Sequence, residues 1–144
     1  MLFSQARKRK VVSSTTAETV GRVNDFVVDP STRRVVAVTV KKSDSGDVLR
    51  WSDLTAFGVD AVTVTGADKV GAGDEQVRAL AGKDRRLLGK RVLTSGGDEL
   101  GTLRDVDFDA ESGRLAALLV DDGPEVPADR LLGVGSYAVV VTDG

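Results

Sequence analysis

The amino-acid sequence predicts an all-β protein: two small, highly curved β-barrels in tandem, related by a pseudo-twofold axis and carrying short helical turns. Three observations predict it. Residues 90–120 (KRVLTSGGDELGTLRDVDFDAESGRLAALLV) fall without a gap on residues 10–40 (KVVSSTTAETVGRVNDFVVDPSTRRVVAVTV) when slid back by eighty positions. Identities then stand at Lys10/Lys90, Val12/Val92, Gly21/Gly101, Asp25/Asp105, Asp29/Asp109, Arg34/Arg114, Ala37/Ala117 and Val40/Val120. Chance would supply roughly two, since common residue types each make up under about a tenth of a chain. Within each copy the apolar residues follow period two, and the alternation slips by one residue at the same place. The β-prone runs are bounded by turn-rich clusters throughout.

Taken in order, residues 8–14 form a short β-like run leading to a polar turn at 15–19. The second copy matches it with 90–94 and the cluster Ser95-Gly96-Gly97-Asp98, a hairpin signal because glycine reaches positive φ without a Cβ clash. The first copy lacks glycine there, so its turn is expected to be longer or of another type. Next come 21–29 (GRVNDFVVD) and 101–109 (GTLRDVDFD). Val106 and Phe108 alternate with Asp105, Asp107 and Asp109, but Leu103 is out of phase, as Val23 is with Phe26 and Val28. That slip predicts a β-bulge near Asn24/Asp25 and Arg104/Asp105, the device that bends a strand sharply enough for a small barrel. Turns at 30–33 and 110–113 precede the most β-prone segments, 34–40 (RVVAVTV) and 114–120 (RLAALLV). The second is apolar on both faces, which places it at the seam between lobes or at a dimer contact. Residues 52–54 and 127–129 read as single helical turns, opened by a capping-type serine and by proline. Each half closes with a strand, 61–65 and 137–142. The domain reading is repeat 1 at 1–66, a linker at 67–83 with two turns of helix over 74–81, and repeat 2 at 84–144. Lobes of this size bury too little surface to be secure alone, so an apolar seam is expected to fuse them.

Composition excludes several functions. The chain has 144 residues, 22 acidic against 20 basic, for a net charge of −2, which argues against a dedicated nucleic-acid or anionic-membrane binder. Neither cysteine nor histidine occurs, removing the thiol nucleophile, the commonest general base and most transition-metal ligand sets. The longest apolar run, 115–120, is far short of the roughly twenty residues that cross a bilayer. The basic cluster at the start follows Leu2 and Phe3 instead of preceding an apolar stretch, so it is not a secretory signal. A cytoplasmic location is the expectation.

The order G-x-apolar-x-D-apolar, an aspartate before a turn, a β-rich apolar segment, the turn VPADRL and a final AVVV strand resembles the PRC-barrel domain. That family includes the cytoplasmic domain of the photosynthetic reaction-centre H subunit and the C-terminal domain of the ribosome-maturation factor. The resemblance covers nearly all of the second half and is weaker in the first, where Trp51-Ser52 replaces the valine-proline pair and no glycine pair marks the first turn. It implies a strongly curved barrel of five or six strands per copy and a docking role, with no enzyme activity.

Catalytic, cofactor and metal residues are therefore expected to be absent. Asp105, Asp107 and Asp109 would share one face of a strand. An EF-hand fails there because Ala110 and Ala116 stand where glycine and glutamate are required, and a solvated outer face that discourages edge pairing is the preferred reading. Basic residues cluster at 7–10 and at Lys83, Arg85, Arg86, Lys90 and Arg91, at sites the duplication makes equivalent. They would touch RNA phosphates or an acidic partner if they are not an ordinary solvated edge. Trp51 and Tyr137 are candidate partner anchors whose alternative role, core packing, is favoured. The functional expectation is a non-enzymatic protein-interaction adaptor with an unidentified protein partner and a plausible homodimer. An RNA- or ribosome-associated factor acting through Arg85, Arg86 and Arg91 is the alternative.

Overall fold

The structure, a computed structural model, describes residues 1–82 and 85–143; Lys83 of the basic cluster and the boundary set at 83/84 lie outside them. Repeat 1 consists of β1 (Lys10–Ser13), β2 (Thr19–Asp29), β3 (Arg34–Lys41), β4 (Val48–Arg50), β5 (Ala56–Phe57) and β6 (Ala61–Val64). Repeat 2 consists of β7 (Arg91–Thr94), β8 (Glu99–Phe108), β9 (Leu115–Val120), β10 (Glu125–Pro127), β11 (Leu131–Val134) and β12 (Ala138–Val141). The two six-stranded sheets have matching orders, β4-β3-β2-β1-β6-β5 and β10-β9-β8-β7-β12-β11. All neighbours are antiparallel except β1 with β6 and β7 with β12. The fold is mainly β, as predicted, and its helices are short: α1 (Phe3–Ala6), α2 (Glu75–Leu80) and single 3-10 turns.

The predicted bulges are present. The β2–β3 register shifts between Val23 and Asp25, and the β8–β9 register between Leu103 and Asp105. One extra residue there turns the following half of each long strand across the core, which brings Val23 and Phe26, or Leu103 and Val106, to the same buried side despite their odd spacing. Gly21 and Gly101 sit just before these bends for a steric reason. A Cβ would lie 2.5 Å from Val40 Cγ1 in one copy and 2.8 Å from Val120 Cγ1 in the other.

Two details of the sequence alignment need correction. In β1 and β7 the structurally equivalent residues are Val11 and Val92, paired to Gly21 and Gly101 respectively, and Lys10 matches Arg91. Lys10/Lys90 and Val12/Val92 are thus accidental identities. The cause is the first turn, one residue longer in repeat 1: Ala17 N–H donates to Ser13 O, whereas Gly97 N–H donates to Thr94 O. Ala17 adopts the left-handed conformation (φ 60°) that Gly97 (φ 92°) adopts without strain. Further along, β4 and β10 align Leu49-Arg50 with Val126-Pro127, so Trp51 corresponds to Ala128, each opening a 3-10 turn. The valine-proline pair is not what Trp51-Ser52 replaces.

A seam fuses the repeats. Arg34 and Arg114 form an antiparallel bridge, with Val35 N–H donating to Gly113 O (2.7 Å) and Leu115 N–H to Arg33 O (2.9 Å). Each of these bonds maps onto the other when the repeats are exchanged, the signature of the pseudo-twofold axis. Around it lies one core cluster drawn from both repeats, including the four phenylalanines. Phe3 stacks on Phe26 at 4.0 Å, and Phe108 meets Phe3, Phe26 and Phe57 edge-on or tilted at 5.4–5.5 Å. Such pairs contribute about 0.5–1.5 kcal/mol each beyond area burial. Of β9, Leu115 bonds across the seam and joins this core with Leu118 and Val120, whereas Ala116 is exposed, so the seam meets the start of the strand and does not cover both of its faces.

The segments before β1 and β7 are exchanged between repeats. Helix α1, which the sequence pattern did not predict, packs against β8 of repeat 2 through Phe3 and Ala6, and Leu2 bridges Asp107. On the other side Arg86, ahead of β7, reaches Asp25 of β2. Helix α2 is predicted by the pattern over 74–81 and is capped by Asp74, whose carboxylate accepts Val77 N–H at 2.8 Å. Its Val77, with Leu80 and Ala81, covers Val27, Ala37 and Val48 on the outer face of repeat 1.

Candidate functional site

The 3-10 turn Trp51–Asp53 follows β4 directly, because the backbone of Leu54 N–H folds back to Trp51 O. This turn holds the only tryptophan at the seam, half-buried, with its ring stacked on Phe57 (5.7 Å, 13° between planes) and edge-on to Phe108 of repeat 2 (6.3 Å, 83°). Gly113 lies beneath it at φ 79°, and a Cβ there would stand 3.0 Å from Trp51 Cε2. The equivalent place across the axis is built in reverse. Ala128 replaces the tryptophan, and Arg33 (φ 58°) replaces the glycine, sending its Nε to Leu131 O at 3.0 Å. One side of the seam is closed by an arginine, and the other is left with an open aromatic surface.

That open side is a cleft of about 280 Å³ lined by Trp51, Leu54, Ala56, Phe57, Ala110 and Glu111. It draws on both repeats and borders β5, the last strand of its sheet. The Glu111 side chain makes no hydrogen bond or ion pair among the described residues. Neighbouring carboxylates are engaged: Asp53 with Arg50 Nε (3.1 Å), Asp107 with the Met1 nitrogen (2.8 Å) and Asp109 with the N–H of Glu111 (2.8 Å). Arg9, whose guanidinium is 5.9 Å from the Phe57 centroid, is held by the carbonyls of Gly58 (2.7 Å) and Gln5 (3.0 Å).

The candidate residues do not converge on one site: Arg91 meets Tyr137, Arg85 and Arg86 line one hollow, and Trp51 lines neither place. Trp51 packs on the core, as favoured, while keeping one side toward the cleft. Tyr137 does not: it is 66% exposed, at the turn before β12, with Arg91 over its ring (4.6 Å) and Arg91 Nη1 donating to its hydroxyl (3.1 Å). The core reading for Tyr137 is overturned because the short β11–β12 turn, through Gly135 and Ser136, leaves it outside the sheet. Arg85 donates to Val134 O (3.0 Å), and Arg86 lies 3.5 Å from Asp25. Both line a smaller hollow of about 170 Å³ between β2, β3 and the end of α2, in another part of the molecule. On the first copy's side, Arg7 donates to Asn24 O and Arg22 to Lys8 O. These arginines serve backbone carbonyls, carboxylates and, for Arg91, the Tyr137 hydroxyl and the exposed Glu99, and they do not form one patch.

The expected solvated aspartate face is corrected at Asp105, whereas the Asp107 side chain is half-exposed and Asp109 exposed, as expected. Asp105 is 5% exposed at the bulge, accepting Val106 N–H (2.9 Å), Ser4 N–H (3.1 Å) and the Ser4 hydroxyl. Its equivalent, Asp25, accepts Phe26 N–H in the same way (2.9 Å). These aspartates hold the bulges and the exchanged segments. Asp29 and Asp109 hold the hairpin turns: the Ser31 hydroxyl and amide bonds keep the Asp29 carboxyl below its ordinary value, and the Glu111 amide does so for Asp109. Asp143 is likewise lowered, chiefly by the Thr94 hydroxyl and the Gly96 amide. Among the described residues no group of three carboxylates is arranged to hold a metal ion.

Matching six-stranded sheets, twin bulges and a 3-10 turn after the fourth strand are features that two copies of one curled domain would share. The family model of the PRC-barrel domain matches residues 1–71 and again 82–143. The chain belongs to the PRC-barrel family. It is a tandem of two PRC-barrel units, with α2 in the unmatched stretch between them. No curated protein matches the chain. In this PRC-barrel pair the cleft residues Phe57, Ala110 and Glu111 were not singled out by sequence reasoning. Ala110 and Glu111 belong to a turn of the other repeat, and only the seam brings them beside Trp51. The described residues contain no helix long and apolar enough to cross a membrane.

Proposed function

We propose that this tandem PRC-barrel protein is a non-enzymatic adaptor that binds a protein partner at the inter-repeat cleft. One observation carries the reading. The lone tryptophan, half-buried, lines a cleft shared by both repeats, beside a strand that ends its sheet among the described residues. Tryptophan is the residue most enriched at interface hot spots, and a free strand edge offers backbone groups to an extended chain. The nucleic-acid reading loses support, because the arginines it relied on are divided between separate regions and engaged within the chain: Arg85 with a carbonyl, Arg86 with Asp25, and Arg91 with Glu99 and Tyr137.

Site-specific photocrosslinking tests this. A photoreactive residue at Thr55, on the cleft rim, is compared with one at Thr32, in the β2–β3 turn. Discrete protein adducts at position 55 that are missing at 32 support the adaptor reading. Adducts that disappear on ribonuclease treatment, or equal labelling at both positions, overturn it.

A further inference from the structure

The cleft has a chemical preference, and the inference drawn from it rests on the adaptor reading. At about 280 Å³ it falls just below the range that holds a drug-sized molecule, so it suits one long side chain. It is lined by the paired rings of Trp51 and Phe57 and by the aliphatic Leu54 and Ala110. At its rim stands Glu111, a carboxylate with no partner among the described residues, while Asp53, Asp107 and Asp109 nearby are each engaged. An aromatic face, an apolar slot for a stem and a free anion at the mouth together match one type of side chain: a cation on an alkyl chain. The cleft borders β5, which ends its sheet among the described residues.

The geometry points to an arginine or lysine from an extended segment of a protein partner, added as a further strand along β5, with its stem between Leu54 and Ala110. The cation lies against the Trp51 ring and pairs with Glu111. Arg9 already places a guanidinium near Phe57, so the ring accepts a cation within the chain itself. Because Arg9 is held by Gly58 and Gln5, it leaves the Glu111 end of the cleft available.

The test uses the full chain and the capped peptide acetyl-Thr-Val-Arg-Val-Thr-amide, with versions carrying glutamine or glutamate in place of arginine. Binding is read from the fluorescence of Trp51 and from amide shifts at Ala56 and Phe57. The arginine peptide is expected to bind saturably and about tenfold more tightly than the glutamine version, the middle of the range for an exposed cation–π contact plus an ion pair. Glu111→Gln is expected to remove most of that preference without loss of fold, since the carboxylate supports nothing in the free protein. Equal affinity of the three peptides, an unchanged preference in Glu111→Gln, shifts confined to other strands, or displacement of the peptide by a single-stranded oligonucleotide overturns the inference. Adducts at Thr55 together with charge-blind peptide binding would refute the cation alone. Absence of adducts at Thr55 would refute the adaptor reading beneath it.

Discussion

Replacing Gly113 by alanine is the sharpest probe of the seam. Gly113 adopts φ 79°, and an added Cβ would stand 3.0 Å from both Trp51 Cε2 and Val35 O. The left-handed conformation alone costs an L-residue about 1–2 kcal/mol. The contact adds an overpacking term, typically about 1–3 kcal/mol, because neither neighbour can retreat freely. Val35 O belongs to a core strand whose N–H is tied to Gly113 O, and the Trp51 ring is pressed between Phe57 and Phe108. A total near 3 kcal/mol follows. With an unfolding entropy of roughly 2.1 cal/mol/K per residue, that corresponds to a fall in Tm of about 10 °C for a chain of this length. Arg33→Gly, the converse change at the equivalent site, removes a left-handed arginine but also its bond to Leu131 O, so its net effect should stay within about 1 kcal/mol. Urea and thermal unfolding followed by Trp51 fluorescence and circular dichroism measure both. A Gly113→Ala protein within about 0.5 kcal/mol of the parent, with unchanged fluorescence, would mean that Trp51 is not seated over this glycine and that the seam has been misassigned.

Two further predictions concern the aspartates. Asp105→Ala should destabilise by about 2–3 kcal/mol, because it strands the buried Val106 amide and removes the two Ser4 bonds that tie α1 to β8, whereas Asp25→Ala, which removes a part-buried bond from the Phe26 amide and a contact at 3.5 Å with the exposed Arg86, should cost about 1 kcal/mol; equal losses in urea unfolding would refute the assignment of Asp105 as the anchor of α1. Asp29 and Asp109 have folded-state carboxyls lowered from 3.8, so their stabilisation is fully present above that value and is lost as pH falls through the lower folded values; Asp29→Asn with Asp109→Asn should flatten the decline in the urea midpoint below about pH 4, and a decline as steep as the parent's would show that other groups drive it.

What the sequence made legible follows from what period-two patterning encodes. Bulges at Asn24 and Arg104 were readable because a shift of one residue flips every later side chain, and the slip of Val23 against Phe26 recorded that flip directly. The first-strand register was not readable. Lys10-Val11-Val12 and Lys90-Arg91-Val92 align equally well by eye, and only the turn geometry decides that Val11 matches Val92. Helix α1 was missed because four residues are too few to show a helical period, and its stability comes from Phe3 in the common core and Ser4 on Asp105. The cleft was half legible: a lone tryptophan beside a polar turn is visible in one repeat, but Ala110 and Glu111 come from the other.

The site lies where the duplication stopped being symmetrical, and packing explains why divergence was tolerated there. Two identical repeats related by a twofold axis would present two identical seams, each filled by one hairpin turn and one 3-10 turn. In this chain the residue volumes have been traded across the axis: glycine and tryptophan on one side, arginine and alanine on the other. Each side keeps one large and one small residue, so the core remains filled, since cores accept exchanges that conserve total volume. The chemistry that results is different. Arg33 spends its polar end on the Leu131 carbonyl and closes its side, whereas Trp51 has only its indole N–H to offer and presents a ring face. An aromatic surface therefore opens on one side of the axis, next to a strand edge and an unengaged carboxylate. A tandem arrangement thus permits what a homodimer of one repeat could not: a single binding cleft built from two copies of the same fold, with the second copy free to differ.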